Sequence, residues 1–151
     1  MSQSLSKILV HIIFSTKGRY PFLRDVAVRQ EIHAYLSGIL KQKGSPAVLI
    51  GRVSDHVHIL CHLSRTAAVS ALIGEAKRAS SVWIKERDRK FAQFGWQNGY
   101  GVFSIGQSQV ASVKRYIAKQ QEHHGKLSFQ DEFRQFLRRY QLEYDERYVW
   151  E

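Results

Sequence analysis

The sequence predicts an α+β fold: a ferredoxin-like (RRM-like) antiparallel sheet with helices packed on one face, followed by a C-terminal helical extension. Three observations predict it. Four short runs rich in β-branched and aromatic residues, at 8–15, 47–52, 56–62 and 100–105, read as strands. Two stretches with apolar residues at helical spacing, 24–43 and 66–88, lie after the first and third of these runs. The link between the second and third runs is only Val53-Ser54-Asp55, which implies an antiparallel hairpin. The order strand, helix, strand, strand, helix, strand is that of a split βαβ sheet.

Each element has its own justification. Ile8-Leu9-Val10-His11-Ile12-Ile13-Phe14-Ser15 has the composition of a buried strand, and Thr16-Lys17-Gly18-Arg19-Tyr20-Pro21 breaks it with Gly and Pro. That loop carries two positive charges beside an aromatic ring, a combination suited to phosphates and a stacked base. The helix at 24–43 repeats Val28, Ile32, Tyr35, Leu36, Ile39 and Leu40, and stops at Lys43-Gly44 with Pro46 beyond. Val69, Leu72, Ile73, Ala76, Ser80 and Trp83 mark one face of the helix at 66–88. A third helix is expected at 108–124, capped by Ser108 and carrying Val113, Tyr116, Ile117 and Gln120 at spacings of three and four. A fourth, at 129–140, puts Phe133, Phe136 and Leu137 on one side, and the tail at 143–151 is acidic and aromatic.

Composition narrows the function classes. The single cysteine, Cys61, excludes an internal disulfide framework and a cysteine-rich zinc site. No apolar run approaches the roughly 20 residues of a membrane span, and the first residues lack the apolar core of a signal peptide, so no membrane partner is expected. Together these features predict a cytoplasmic, nucleoid-associated protein. A formal charge of +10 on 151 residues is the footprint of a polyanion partner, most commonly nucleic acid. The basic residues Lys17, Arg19, Lys77, Arg78, Lys114, Arg115 and Lys119 are dispersed through the chain, which favours a folded DNA-binding surface over a disordered arm.

The chemistry-bearing stretch is Ser54-Asp55-His56-Val57-His58-Ile59-Leu60. Alternation along a strand puts His56 and His58 on one face, two imidazoles side by side, which begins a metal site. Tyr116 and Gln120, four apart, project from one face of the third helix. If that face packs over the histidine strand, Gln120 supplies a third, amide-oxygen ligand and Tyr116 brings a phenol to the metal. A divalent ion so held keeps open positions for a phosphate oxygen. A tyrosine nucleophile then forms a covalent phosphotyrosine that conserves the bond energy for rejoining. His11, His33 and His62 show no such coupling and read as structural.

The strings Phe14-Ser15-Thr16-Lys17, Asp55-His56-Val57-His58-Ile59-Leu60 and Arg115-Tyr116-Ile117-Ala118-Lys119-Gln120, in that order, resemble the single-tyrosine HUH transposases. These include the transposases of the smallest insertion sequences and the REP-associated tyrosine transposases. The resemblance implies a metal-dependent enzyme that cuts and rejoins single-stranded DNA next to hairpins through a 5′-phosphotyrosine. It assigns Tyr116 as nucleophile and His56, His58 and Gln120 as ligands of Mg²⁺ or Mn²⁺, and it implies a homodimer. Residues 1–125 form the catalytic domain on this reading, and 126–151 an extension that binds DNA, closes the dimer or covers the site. Ser54 stands where members of the family often have proline. The alternative is a non-catalytic module that binds single-stranded or hairpin nucleic acid, as a repressor or an RRM-like domain does. A zinc hydrolase is disfavoured for want of a third histidine or carboxylate with a base beside it.

Overall fold

The structure is a computed structural model that describes residues 2–51, 53–119 and 127–151. Four strands, β1 (Leu9–Ser15), β2 (Ala47–Ile50), β3 (His56–His62) and β4 (Gly101–Ile105), form one antiparallel sheet in the order β2-β3-β1-β4. The helices are α1 (Val26–Gln42), α2 (Val69–Arg87), α3 (Val110–Ala118) and α4 (Phe129–Arg139). This is the α+β architecture expected of the sequence.

β1 is paired on both edges, with β3 and with β4, so its backbone is fully spent and its side chains are buried throughout. Val10, Ile12 and Phe14 point to one side of the sheet with Val57, Ile59 and Cys61 of β3, and α1 and α2 cover them with Val28, Ile32, Leu36, Leu72, Ile73 and Ala76. Each buried Val, Leu, Ile or Phe among them contributes about 1.5–3 kcal/mol of transfer free energy. The Asp25 carboxylate starts α1 by accepting from the backbone N–H of Ala27 at 2.9 Å.

The opposite side of the sheet is where the extension lies. Ile13 and Phe103 meet Phe129, Phe133, Phe136 and Leu137 of α4 in a second core. Gly101 makes this contact possible, since a Cβ there would stand 2.6 Å from Cε2 of Phe133. The tail then folds back along α4. Trp150 packs near Phe129 and Phe133, with ring centroids at 6.3 and 6.0 Å, and the Arg134 guanidinium lies 4.9 Å from its ring. The backbone carbonyl of Glu151 accepts from the Gly99 N–H at 2.7 Å, tying the tail to the loop before β4.

Among the boundaries that differ from expectation, two have a visible physical reason. Ser108 does not cap the third helix: it lies in a turn of 3₁₀ helix (Gln107–Gln109), and the Gln109 side chain instead accepts from the Gly106 N–H at 2.8 Å. The second strand ends at Ile50, although the Gly51 N–H still donates to the His58 carbonyl at 2.8 Å.

Candidate active site

The register of β1 against β3 sets His56 opposite Ser15 and His58 opposite Ile13, so both imidazoles emerge on the α4 side of the sheet. Both are buried. α3 crosses above them, and the Tyr116 ring lies 5.8 Å from that of His58. The expected meeting of the tyrosine helix with the histidine strand is therefore present. Gln120, the third ligand expected from the sequence, lies outside the described residues.

A carboxylate that the sequence reading passed over occupies the centre. Glu132 of α4 places Oε1 2.7 Å from Nε2 of His58 and 3.2 Å from Nε2 of His56. Its Oε2 accepts from the Tyr116 hydroxyl at 2.5 Å. One side chain thus touches both imidazoles and the phenol. It was legible in part: Glu132 falls in the stripe Phe129, Phe133, Phe136 at helical spacing, and an acid within an apolar stripe is buried only with partners. What the stripe faces could not be read from spacing.

The histidines are held from behind. Nδ1 of His56 lies 2.7 Å from Oδ1 of Asp55, and Nδ1 of His58 lies 2.7 Å from Nε2 of His11. His11 is therefore coupled to the site, which corrects its reading as a structural histidine. His33 is a buried residue of α1, on the far side of the sheet. Carboxylates only accept, so the Nε2–H of His58 donates to Glu132, the bare Nδ1 accepts from His11, and the Nδ1–H of His56 donates to Asp55.

The charges follow from these contacts. Burial disfavours the His56 cation, but hydrogen bonds and charge from Asp55 and Glu132 outweigh it and raise its pKa above the usual imidazole value. Burial dominates at His58 and His11 and lowers both, keeping them neutral. Burial alone would raise Glu132, yet the hydrogen bonds from both imidazoles hold it well below the usual carboxylate range. Tyr116 is pushed well above the usual phenol value by burial and then by the Glu132 charge.

The donor set fits a divalent cation. The ligand atoms of His56, His58 and Glu132 lie within 4.8 Å of one another. Adjacent ligands of an octahedral ion at about 2.1 Å stand about 3 Å apart, close to the separations of the Glu132 oxygen from the two imidazoles. Two imidazoles and one carboxylate, with no thiolate, form a set that leaves open positions for substrate. Asp55 behind His56 would be the outer partner that fixes this imidazole's orientation toward an ion.

The basic residues fall into two groups. Lys17, Lys77 and Arg78 line a groove of about 760 Å³ beside the loop before β4. There Lys77 is already engaged: its ammonium donates to the carbonyls of Gln97 at 2.8 Å, Asn98 at 3.3 Å and Gly99 at 2.7 Å, and burial pushes its pKa down to about 8. Arg78 pairs with Glu75 at 2.7 Å while remaining exposed. Arg19 sits in the turn after β1, with a positive φ of 59°. Lys114, Arg115 and Lys119 are exposed on and just beyond α3, beside the tyrosine.

Comparison with known proteins agrees with this fold. A structure of a Deinococcus radiodurans R1 protein, provisionally assigned as a transposase, is similar with a TM-score of 0.59 and 22% identity over 78% of this chain and 95% of that one. A REP-associated tyrosine transposase bound to a REP hairpin is similar with a TM-score of 0.60 and 14% identity over 84% of this chain and 76% of that one. No curated protein matches the chain at a significant level. The family model "Transposase IS200 like" matches residues 4–120, a span that contains His56, His58 and Tyr116 and ends before α4. By that match, the chain belongs to the IS200-like transposase family.

Proposed function

We propose that the protein is a transposase that cleaves and rejoins single-stranded DNA next to hairpins through a covalent 5′-phosphotyrosine on Tyr116. The observation that carries this reading is the Tyr116 hydroxyl 2.5 Å from the carboxylate that spans both histidines. His56, His58 and Glu132 would hold the divalent ion, Mg²⁺ or Mn²⁺; of these, Mn²⁺ suits a set containing two imidazoles better. When bound, the ion would supply Lewis-acid polarisation of the scissile phosphate.

The chain's own residues perform the remaining steps. Tyr116 is oriented by its bond to Glu132, and its phenolic proton is released to water as the oxygen attacks phosphorus. A bond from the tyrosine oxygen to phosphorus forms, the bond from phosphorus to the 3′ oxygen breaks, and the departing oxygen takes up a proton. A 3′-hydroxyl from another strand reverses the sequence and joins new partners. His11 and Asp55 hold the ligand imidazoles in place. Lys17, Arg19, Lys77, Arg78, Lys114, Arg115 and Lys119 contribute the DNA-binding surface, with Lys77 acting chiefly through the loop it clamps. Residues 1–125 are the catalytic domain, and 126–151 are an extension of it that supplies Glu132. The family resemblance also supports a homodimer.

The test is a denaturing gel of labelled single-stranded DNA carrying a hairpin, incubated with protein and Mn²⁺. A metal-dependent, protein-linked product that vanishes in Tyr116→Phe is the expected result. Tight hairpin binding with no adduct across many flanking sequences would favour the second reading, a non-catalytic binder. The raised pKa of Tyr116, which keeps the phenol protonated in the arrangement seen here, is the observation on that side.

A further inference from the structure

The face of α3 that carries Tyr116 also lines a cleft of about 490 Å³ whose opposite wall is the C-terminal end of α4. Arg115 and Lys119 stand on or just beyond α3 and Arg139 on α4, and all three side chains line this one space. Among the described residues, none of the three has a carboxylate partner, unlike Arg78, Arg134 and Arg147. Three unneutralised cations around one cavity repel one another, at a cost that an anionic occupant would remove.

The cleft is also built for more than charge. Arg139 lies 5.5 Å from the Phe136 ring, which supports its guanidinium by a cation–π contact. Tyr140, half-buried on the same wall, is anchored by its hydroxyl to the Ser104 carbonyl at 3.0 Å and offers an aromatic surface. Tyr116 lines the cleft while its hydroxyl faces Glu132, so its ring is the partition between this cavity and the histidine pair. The Arg139 charge acts on the phenol across it, lowering the Tyr116 pKa against the larger effects that raise it.

We propose that the cleft between α3 and α4 seats the stretch of the cut strand that flanks the scissile phosphate, taking consecutive phosphodiesters of single-stranded DNA on Arg115, Lys119 and Arg139 with a base against Tyr140. This rests on the reading of Tyr116 as the nucleophile. It gives the C-terminal extension a second task besides supplying Glu132, because Arg139 and Tyr140 lie beyond the matched family span.

The test measures binding apart from cleavage. Fluorescence anisotropy of a fluorescein-labelled single strand of about 12 nucleotides is recorded with the full chain in EDTA, over a range of salt concentrations. Arg139→Gln and Lys119→Gln are each expected to weaken binding about 5- to 10-fold and to reduce the salt slope by about 0.7, the value for one lost phosphate contact on a single strand. Lys41→Gln, an exposed change on α1, is expected to stay within about twofold. Lys119 is exposed and, among the described residues, has no side-chain partner to lose, so its variant reads binding even if Arg139→Gln perturbs α4. Both variants binding within about twofold of wild type, with an unchanged slope, would overturn the proposal. So would an equal loss in Lys41→Gln, which would mean that charge alone drives binding. The Tyr116 adduct assay fails or succeeds separately, so a wrong nucleophile and a wrong cleft give different patterns.

Discussion

The Tyr116 hydroxyl and the Glu132 carboxylate, on different helices, share a 2.5 Å hydrogen bond at the mouth of the histidine pair. The bond joins a residue inside the matched family span to one outside it. A buried carboxylate costs several kcal/mol unless its lone pairs are used, and here the two imidazoles and the phenol use them. Glu132 therefore sets both the geometry of the candidate ligand set and the protonation of the Tyr116 phenol.

Replacing Glu132 separates those roles. Glu132→Gln keeps the shape but removes the anion, and is expected to weaken Mn²⁺ binding by roughly 100-fold, the upper end of what loss of an outer partner costs. Isothermal titration and the Mn²⁺ paramagnetic resonance signal both read this without any turnover. Unchanged affinity together with faster adduct formation would mean that the carboxylate obstructs the site and that another residue completes the ligand set.

Gly101 tests whether α4 must sit where it does. A methyl group at this position would meet Phe133 Cε2 at 2.6 Å and Cζ at 2.9 Å, so either the ring or the helix must shift. Gly101→Ala is expected to cost about 1–3 kcal/mol in denaturant unfolding and to lower Mn²⁺ affinity by moving Glu132. Adding Phe133→Leu should recover part of both. A double variant no better than Gly101→Ala alone would show that the clash is not the cause.

The pH dependence follows from opposite shifts within one cluster. His56 has a raised pKa, so its contribution to stability is fully present below the unfolded value of about 6.5 and is lost as pH rises through its folded value. His11 and His58 have lowered values, so the fold loses stability as pH falls below about 6.5 toward theirs. These three groups predict a stability maximum near pH 6.5 in EDTA, read by thermal unfolding, with the decline on the alkaline side missing in His56→Asn. A ligand imidazole must also give up its Nε2 proton, so Mn²⁺ affinity should climb as pH rises through the His56 value, with one proton released per ion. A flat affinity between about pH 6 and 8 would remove His56 from the ligand set.

Much of the scaffold was legible because it follows local rules. The strand runs, the amphipathic helices, the short link before Asp55 and the order of elements led to the correct sheet, since each depends on neighbours two, three or four residues apart. The same periodicity placed His56 and His58 on one face, and the motifs around them and Tyr116 pointed to the family. Ser108 failed as a cap because competing side chains near a helix start are separated by fractions of a kcal/mol, and Gln109 reached back instead. His11 was misread because its partner lies 47 residues away and is set by strand pairing.

By itself, then, the sequence determined the fold class, the strand carrying the histidine pair and the helix carrying the tyrosine, because periodicity and short motifs are written in adjacent residues. Only the tertiary structure decided that α4 lies on the sheet's second face, that Glu132 enters between His56, His58 and Tyr116, and that Arg139 faces Arg115 and Lys119 across one cleft. The physical reason is that α4 buries a stripe of aromatic side chains against Ile13, Phe103 and the bare backbone of Gly101. An apolar stripe specifies that a helix must be covered, whereas the shape of the surface it meets specifies where.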